Sequence, residues 1–452
     1  MPIKTFYNSS FFQSVAQGLI TPFIPIFALS LGASKTLIGL LSSLPNLTNL
    51  LSQAFWGSLS DMTRNKKLMI ILGGIFWALL WIPVAFVKDP ISLIALITVQ
   101  SFLASISVPA WTVTMIRTIP SYKRGRIAGN VNTISGIGSF FGTLIGGYIL
   151  NNSGFIPFLF FMVCFFGILS RIPFFFIKLP SMPIYHIPLK SALKKTISIS
   201  FIKKEKKLMS LMKTIIFLQF ATSIAGPFFS VHVIQSLGGT NLDIAIISAI
   251  GTLSAIMFYG AWGMLVDYLG RKTVMLSCII PISFLPFVYS VSNHVLWLYL
   301  YSIVSHISWA GFSLAVFAYL SDAVPFERSS YYVSVYNLFT GLSSAIAPFI
   351  GGIIADLTSI HFIFMLSTIL RISTIYFIDR LEEKTGLRPR GIFNFRFDYF
   401  GIAYRLETFL LTYSLAIYEA RQRSKRIMNL GKYLKSFERN MKDNVKKIRK
   451  KK

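Results

Sequence analysis

Residues 56–61 read Trp-Gly-Ser-Leu-Ser-Asp and residues 262–267 read Trp-Gly-Met-Leu-Val-Asp. The shared positions, Trp56, Gly57, Leu59 and Asp61 against Trp262, Gly263, Leu265 and Asp267, are displaced by 206 residues. The same displacement carries Gln13 to Gln219, Ser30, Leu31 and Gly32 to Ser236, Leu237 and Gly238, and Lys66 to Lys272. After a one-residue slip, a displacement of 205 carries Pro120 to Pro325, Asn132 to Asn337, Gly136 to Gly341, and Gly146 and Gly147 to Gly351 and Gly352. Matches at Trp, Asp and Pro are not what low-complexity apolar sequence produces by chance. A repeat of this length between apolar segments points to two parallel copies of one membrane unit.

The composition requires a lipid solvent. Of 452 residues, 54% are hydrophobic and 13% charged, and mean hydropathy is +0.64, so the surface cannot be mostly polar. Apolar segments separated by short polar turns fall near 9–31, 36–60, 68–87, 91–116, 127–150 and 155–177, then near 211–236, 243–265, 273–291, 295–320, 331–355 and 360–379. Each is about 20 residues, enough to cross a hydrocarbon core as a helix that satisfies its own backbone hydrogen bonds. The expected fold is an all-α membrane protein with twelve transmembrane helices in two pseudo-symmetric six-helix bundles.

Lys and Arg are retained on the cytoplasmic side of short loops. With the N-terminus inside, Lys35 and Lys88 are the only basic residues in external loops, while Arg64, Lys66, Lys67, Lys123, Arg124, Arg126, Arg271, Lys272 and Arg328 fall inside. Both termini are thus expected in the cytoplasm of a plasma-membrane protein. The formal charge of +28 is then a matter of anionic lipid headgroups and not of nucleic acid. Cys164 and Cys278 lie inside spans in different halves, which leaves no disulfide framework. The first apolar segment is too long for a signal peptide core.

Four regions are expected: an N-terminal bundle at 1–178, a basic cytoplasmic linker at 179–210, a C-terminal bundle at 211–380, and a basic tail at 381–452. From Arg380 onward there are 20 basic and 7 acidic residues. In the tail, Ile427, Leu430, Leu434, Phe437, Met441, Val445 and Ile448 recur at spacings of three and four between Lys and Arg. That pattern describes a basic amphipathic helix lying on the inner leaflet. A thirteenth span near 399–420 is opposed by Arg405 and Glu407 and would carry the lysine-rich end outside.

The turns after the two tetrads carry the family signal. Asp61 is followed by Arg64, Lys66 and Lys67, and Asp267 by Gly270, Arg271 and Lys272. Gly57 and Gly263 stand one helical turn before the aspartates, where a neighbouring helix can approach. These residues resemble the signature of the major facilitator superfamily between its second and third helices, Gly-x-x-x-Asp-x-x-Gly-Arg-Lys. The second copy fits more closely, because Arg64 and Asn65 stand in place of Gly-Arg in the first. The resemblance covers residues 9–380. It implies a gate in which Asp61 docks on the first turn of span 11, near Ser329 and Ser330, and by pseudo-symmetry Asp267 docks near Arg124 and Gly125. The gating set is therefore Gly57, Asp61, Arg64, Lys66, Gly263, Asp267, Arg271 and Lys272, with the cations holding their loops at the headgroups. Arg117 and Asp322, at equivalent positions with opposite charge, fit the same cluster, and interfacial solvation is the alternative reading. Span 5, with Gly138, Gly142, Thr143, Gly146 and Gly147, and span 11, with Ser343, Ala347, Pro348, Gly351 and Gly352, are similar to an antiporter motif of that superfamily. Close helix packing explains the same stripe.

The resemblance also implies that spans 1, 4, 7 and 10 surround a central pathway. Each carries a polar residue well inside: Gln17, Gln100, Gln219 and His306. Polar groups in lipid are costly unless they face protein or water, so these are candidate solute contacts, with Gln13 as a neighbour, and an interhelical hydrogen bond is the alternative for each. Trp111 and Trp309 can add aromatic surface for the solute, and packing or interface anchoring is the alternative for both. No Asp or Glu stands near the middle of a span, which leaves His306 as candidate proton carrier and His232 as second choice. Arg171 and Arg371 are expected to snorkel to the cytoplasmic headgroups. No phosphate-cradling loop, paired catalytic carboxylates or Cys/His metal spacing occurs, so neither an enzyme nor a cofactor is expected. The leading expectation is a monomeric secondary transporter exporting a small amphiphilic or apolar solute against protons. Uptake of a neutral polar solute such as a sugar is the second reading, and a non-transporting membrane scaffold or sensor the third.

Overall fold

The computed structural model describes residues 2–61, 65–118, 124–152, 156–176, 206–324 and 329–382. The basic tail with its expected amphipathic helix, most of the linker, and the turns holding Arg64 and Lys123 lie outside these residues. Twelve helical elements follow the twelve expected spans, five of them in two segments. They are α1 (Pro2–Ile20 and Ile24–Ser30), α2 (Lys35–Asp61), α3 (Lys66–Leu79 and Trp81–Val84), α4 (Pro90–Ala104 and Ser107–Thr118), α5 (Arg124–Asn152) and α6 (Ile156–Leu169 and Ile172–Phe175). The second half comprises α7 (Lys206–Ser223 and Phe228–Gln235), α8 (Asn241–Leu269), α9 (Arg271–Val291), α10 (Val295–Ala323), α11 (Ser329–Leu357) and α12 (Ile360–Asp379). Among the described residues, eleven elements are long and apolar enough to cross a membrane. The twelfth is α2, which has 27 residues and carries Ser42, Ser43, Asn46, Asn49, Ser52 and Gln53 among its apolar positions. Two boundaries differ from expectation: α1 starts at Pro2, and α7 starts at Lys206 inside the expected linker.

Local chemistry explains the segment ends. Proline removes a backbone donor and crowds the carbonyl four residues earlier. Pro83, Pro173 and Pro227 each stand four residues after the last residue of the first segment of α3, α6 or α7, Pro109 stands five after that of α4, and Pro25 follows the break in α1. Pro45, Pro281, Pro286 and Pro348 are accommodated inside unbroken α2, α9 and α11. Polar caps start other helices: Asn65 accepts from Leu68 N at 3.2 Å, Asp89 from Ser92 N at 2.8 Å, and Thr240 and Asp243 form a reciprocal capping box on α8.

The packing repeats with the sequence. In the first half α1 packs on α5 and α6, α2 on α4, and α3 on α4 and α6; in the second, α7 packs on α11 and α12, α8 on α10, and α9 on α10 and α12. The repeat extends to single atoms. A Cβ placed on Gly138 of α5 would lie 2.6 Å from Phe11 O of α1, and Ser343 of α11 donates to Ile216 O of α7 at 2.8 Å. Gly146 meets Leu19 O just as Gly351 meets Ile224 O. All four pairs are related by 205 residues. The small residues of α5 and α11 thus serve close packing on α1 and α7, since backbones touch where side chains are absent.

The halves meet chiefly through α2 against α11 and α5 against α8, two contacts that exchange under the repeat, with a smaller contact between the second segments of α1 and α7. Gly147 of α5 faces Asn241 O and Leu242 of α8, while Gly352 of α11 faces Lys35 O and Thr36 of α2. Contact fades along each interface. On α2 the stripe runs from Gly39, pressed on Pro348 and Gly352, through Ser43, which accepts from Phe349 N at 2.9 Å, and Leu50, against Gly341, to Gly57. At Gly57 an added Cβ would meet nothing within 4 Å. On α5 and α8 the same progression runs from Gly147 against Ala245, through Gly136 against Ile256, to Gly129 and Gly263, where a Cβ again meets nothing within 4 Å. The halves are joined at the end bearing Lys35 and part toward the end bearing Lys272.

Candidate functional site

Between the halves, where α1 and α7 break, lies a cavity of about 560 Å³. Its wall takes Thr21, Pro22 and Pro25 from the break of α1, and Gly226, Pro227, Phe229 and Ser230 from that of α7. Interrupted helices expose backbone polar groups that regular helices keep for themselves, and they are tolerated only where protein or water satisfies them. Ser42 and Asn46 of α2, Gln219 and Ser223 of α7, Ser248 of α8 and Ser344 of α11 add hydroxyl and amide groups, and Tyr289 of α9 adds an aromatic face. No Asp, Glu, Lys, Arg or His is among these lining residues. A second cavity of about 580 Å³ follows toward the Lys272 end, lined by Gln219, Trp309, Phe312, Ser313, Tyr336 and Asn337 among others. Gln219 belongs to both walls, and its amide nitrogen lies 3.3 Å from Ser223 Oγ.

The candidate solute contacts separate on inspection. Gln219 and Trp309 line cavities. Gln17 is exposed and stands four residues before cavity-lining Thr21, on the same face of α1. Gln100 is 3% exposed and donates to Trp77 O at 2.8 Å, so its amide joins α4 to α3 inside the first bundle. Trp111 packs between Phe6 and Phe174 at centroid distances of 5.0 and 5.4 Å, which makes it part of the bundle core. His306 lines neither cavity. Its Nδ1 donates to Ser302 O at 2.8 Å, and its ring lies over Gly251 of α8, one turn along from cavity-lining Ile247 and Ser248. His232 is fully buried, edge-on to His361 at 5.0 Å and to Phe364 at 5.2 Å.

Two expectations need correction. Arg171 and Arg371 do not reach the headgroups: they are 7% and 2% exposed. Arg171 Nη2 donates to Gln13 Oε1 at 2.7 Å, joined there by Ser170 Oγ at 3.2 Å, and Gly74 provides the space for the guanidinium. Arg371 Nη1 donates to Ile282 O at 3.0 Å. Each arginine ties the sixth helix of its half to its neighbours, because a buried charge is tolerated where fixed acceptors replace water. Nor do the signature cations extend to the headgroups. Lys66, 4% exposed, donates to Ser60 O near the C-terminal end of α2. Lys67 donates to Phe175 O at the end of α6 at 2.8 Å. Lys272 donates to Asp379 O and lies 3.3 Å from its carboxylate at the end of α12, and Arg271 lies 3.1 Å from Asp322 at the end of α10. Unpaired carbonyls and the negative end of the dipole draw cations to helix C-termini.

Of the gate aspartates, Asp267 is exposed, and the side chain of Asp61 lies outside the described residues together with Arg64, Arg117, Arg124, Ser329 and Ser330. Gly57 and Gly263 face open space, since the halves have parted at that end. Ser42, Asn46, Ser223, Ser248 and Ser344 were missed by sequence reasoning. Their signal was faint, because Ser in a span satisfies itself on its own helix and attracts no attention. Asn46 and the paired prolines Pro22 and Pro227, 205 residues apart, were the available clue.

The fold and its cavities define a polytopic membrane protein of two pseudo-symmetric halves, with an uncharged cavity between them at the helix breaks. The chain matches the MFS_1 like family over residues 1–366, and it belongs to that family. It is similar to the multidrug resistance protein MdtG of Enterobacter lignolyticus strain SCF1, 24% identical over 279 residues that cover 60% of this chain and 65% of that protein. MdtG of Salmonella typhimurium strain LT2 is 24% identical over 279 residues covering 60% of this chain and 68% of the relative. The chain thus spans about two-thirds of the length of these relatives. Among solved structures, the nucleoside transporter NupG is 16% identical with a TM-score of 0.61, covering 83% of this chain and 99% of its own. A POT family transporter bound to a thioalcohol-conjugated peptide is 12% identical with a TM-score of 0.67, covering 83% and 95%. At these identities the likeness is one of fold.

Proposed function

We propose that this protein is a secondary active transporter that exports a neutral amphiphilic or apolar solute by alternating access. The carrying observation is an uncharged cavity at the two helix breaks, enclosed by halves that are joined at one end and parted at the other. A cavity of about 560 Å³ holds a drug-sized molecule. Hydroxyl and amide groups with Phe229 and Tyr289 suit a solute that is partly polar and has no net charge. Relatives named as multidrug resistance proteins support export. The positive residues support cytoplasmic termini in a plasma membrane, so the parted end faces the cytoplasm. The solute contacts are then Gln17, Gln219 and Trp309. Asp61 serves the gate that closes the parted end.

Proton coupling belongs to the same proposal. His306 presents Nε2 as its free acceptor, because Nδ1 donates to Ser302 O. It sits at the contact of α10 with α8, so motion within the second half can change its access to water. The test is flux of a panel of fluorescent amphiphiles in proteoliposomes under an imposed pH gradient. Acid-driven flux that His306→Gln abolishes is expected. Gradient-independent flux of the amphiphiles would refute coupling, and flux of sugars alone would replace export by the uptake reading. No movement of any solute would leave a scaffold.

A further inference from the structure

The halves are held together at the Lys35 end by a helix cap that one half supplies to the other. α2 begins at Lys35 with no acidic residue in its first turn. Its repeat partner α8 begins at Asn241, 206 residues later, and both helices carry a hydroxyl cap, Ser34 Oγ accepting from Leu37 N at 3.2 Å and Thr240 Oγ1 from Asp243 N at 3.3 Å; α8 alone adds a carboxylate of its own, with Asp243 accepting from Thr240 N at 2.6 Å. For α2 the carboxylate comes from across the interface. Asp356, near the end of α11, accepts from Lys35 N at 3.1 Å, from Thr36 N at 2.8 Å and from Thr36 Oγ1 at 2.6 Å. Lys35 Nζ reaches back to Ala355 O at 3.1 Å. A carboxylate on the free N–H groups of a helix start satisfies orphan donors and meets the positive end of the dipole.

The repeat shows that this contact is not a by-product of duplication. The position 205 residues before Asp356 is Asn151, whose amide donates to Asn152 Oδ1 at 3.4 Å and makes no contact of this kind with α8. Among the described residues, the second inter-half interface thus has a close glycine contact at this end without a carboxylate cap, while the first has both. The signature at the other end of the same helix pair implies the converse, with Asp61 of α2 on the first turn of α11. The two carboxylates cannot both be seated when the halves rock as rigid bodies.

We infer that Asp356 and the first turn of α2 form a latch that stabilises the state joined at the Lys35 end and must release for the opposite state to form. The inference rests on the alternating-access reading and names the residue that sets its equilibrium. It is tested on the full chain in lipid nanodiscs with spin labels on exposed positions of opposite halves: Phe86→Cys with Trp297→Cys for the Lys35 end, and Phe176→Cys with Tyr268→Cys for the other. Loss of a cap shifts such an equilibrium roughly 5- to 30-fold, so Asp356→Ala should enlarge the population with a longer Phe86 to Trp297 distance by about that factor. Asp356→Asn, which keeps an acceptor but no charge, should shift it less. Thr36→Val removes one donor, should act in the same direction, and decides the matter if Asp356→Ala yields no folded protein. Two populations in the parent chain with neither variant shifting them would overturn the latch alone. A single population under every solute condition would overturn the alternating-access reading and the latch with it.

Discussion

Replacing Gly39 by alanine should push the protein out of the state joined at the Lys35 end without harming either bundle. A Cβ at Gly39 would fall within 3.0 Å of the Pro348 carbonyl oxygen, 3.0 Å from its carbon and 3.2 Å from Gly352 Cα. All three are backbone atoms of α11, so no side-chain rotation relieves the contact. Ordinary carbon contacts start near 3.4 Å, which requires α2 and α11 to separate by several tenths of an ångström or more. Overpacking of this kind costs about 1–3 kcal/mol, and as the cost falls on one of two states it changes their ratio roughly 5- to 150-fold. Because the three atoms nearest that Cβ all belong to the opposite half, the cost falls on the interface and each bundle is expected to fold as in the parent. The same label pairs used for the latch would show the Phe86 to Trp297 distance lengthening and the Phe176 to Tyr268 distance shortening. Gly57→Ala, which meets nothing within 4 Å, should leave this state unaffected and should act on the opposite one. Folded Gly39→Ala protein with parent-like distances at both ends would refute the claim that this interface opens and closes.

Gln219→Ala should reduce solute affinity or flux in proteoliposomes while leaving thermal stability near that of the parent, whereas Gln100→Ala should cost about 1–3 kcal/mol of stability by stripping Trp77 O of its donor. The opposite pattern, with solute affinity lost in Gln100→Ala, would place α4 on the pathway. Gly74→Ala would collide with the Arg171 side chain and should lower the melting temperature in detergent through a similar overpacking cost of about 1–3 kcal/mol, without altering the label distances at either end. Asp89 caps α4, and its hydrogen bonds to the Ser92 backbone and side chain hold its carboxyl below the ordinary value of 3.8. Its contribution is therefore complete above that ordinary value and is lost as pH falls through the depressed one. The parent should lose stability relative to Asp89→Asn across that acid window and not above it, which thermal melts at stepped pH would show.

The twelve spans, the duplication and the family were legible because they depend on local quantities. Apolar length decides that a segment crosses, residue identity at Trp56 and Trp262 or Asp61 and Asp267 decides that the halves match, and neither requires a neighbour. The helix breaks were not legible, since proline interrupts α3, α6 and α7 yet leaves α2, α9 and α11 continuous, and the surrounding packing decides which. Less of the site was legible. A helix that is apolar on all sides gives little indication of which face meets protein, cavity or lipid, so four polar residues on pathway helices looked alike. Gln219 turned to the cavity, Gln17 took the same face of α1 as cavity-lining Thr21, Gln100 was consumed by Trp77 O, and His306 settled against Gly251.

By itself, the sequence determined that this is a membrane protein of two repeated six-helix halves, for hydrophobic length and repeated identity are properties of the chain alone. Only the tertiary structure decided what each charged or polar residue does. Arg171 found Gln13 across 158 positions and Asp356 found the start of α2 across 320, and in a medium without water a polar group's role is set by whichever acceptor or donor the packing brings within reach.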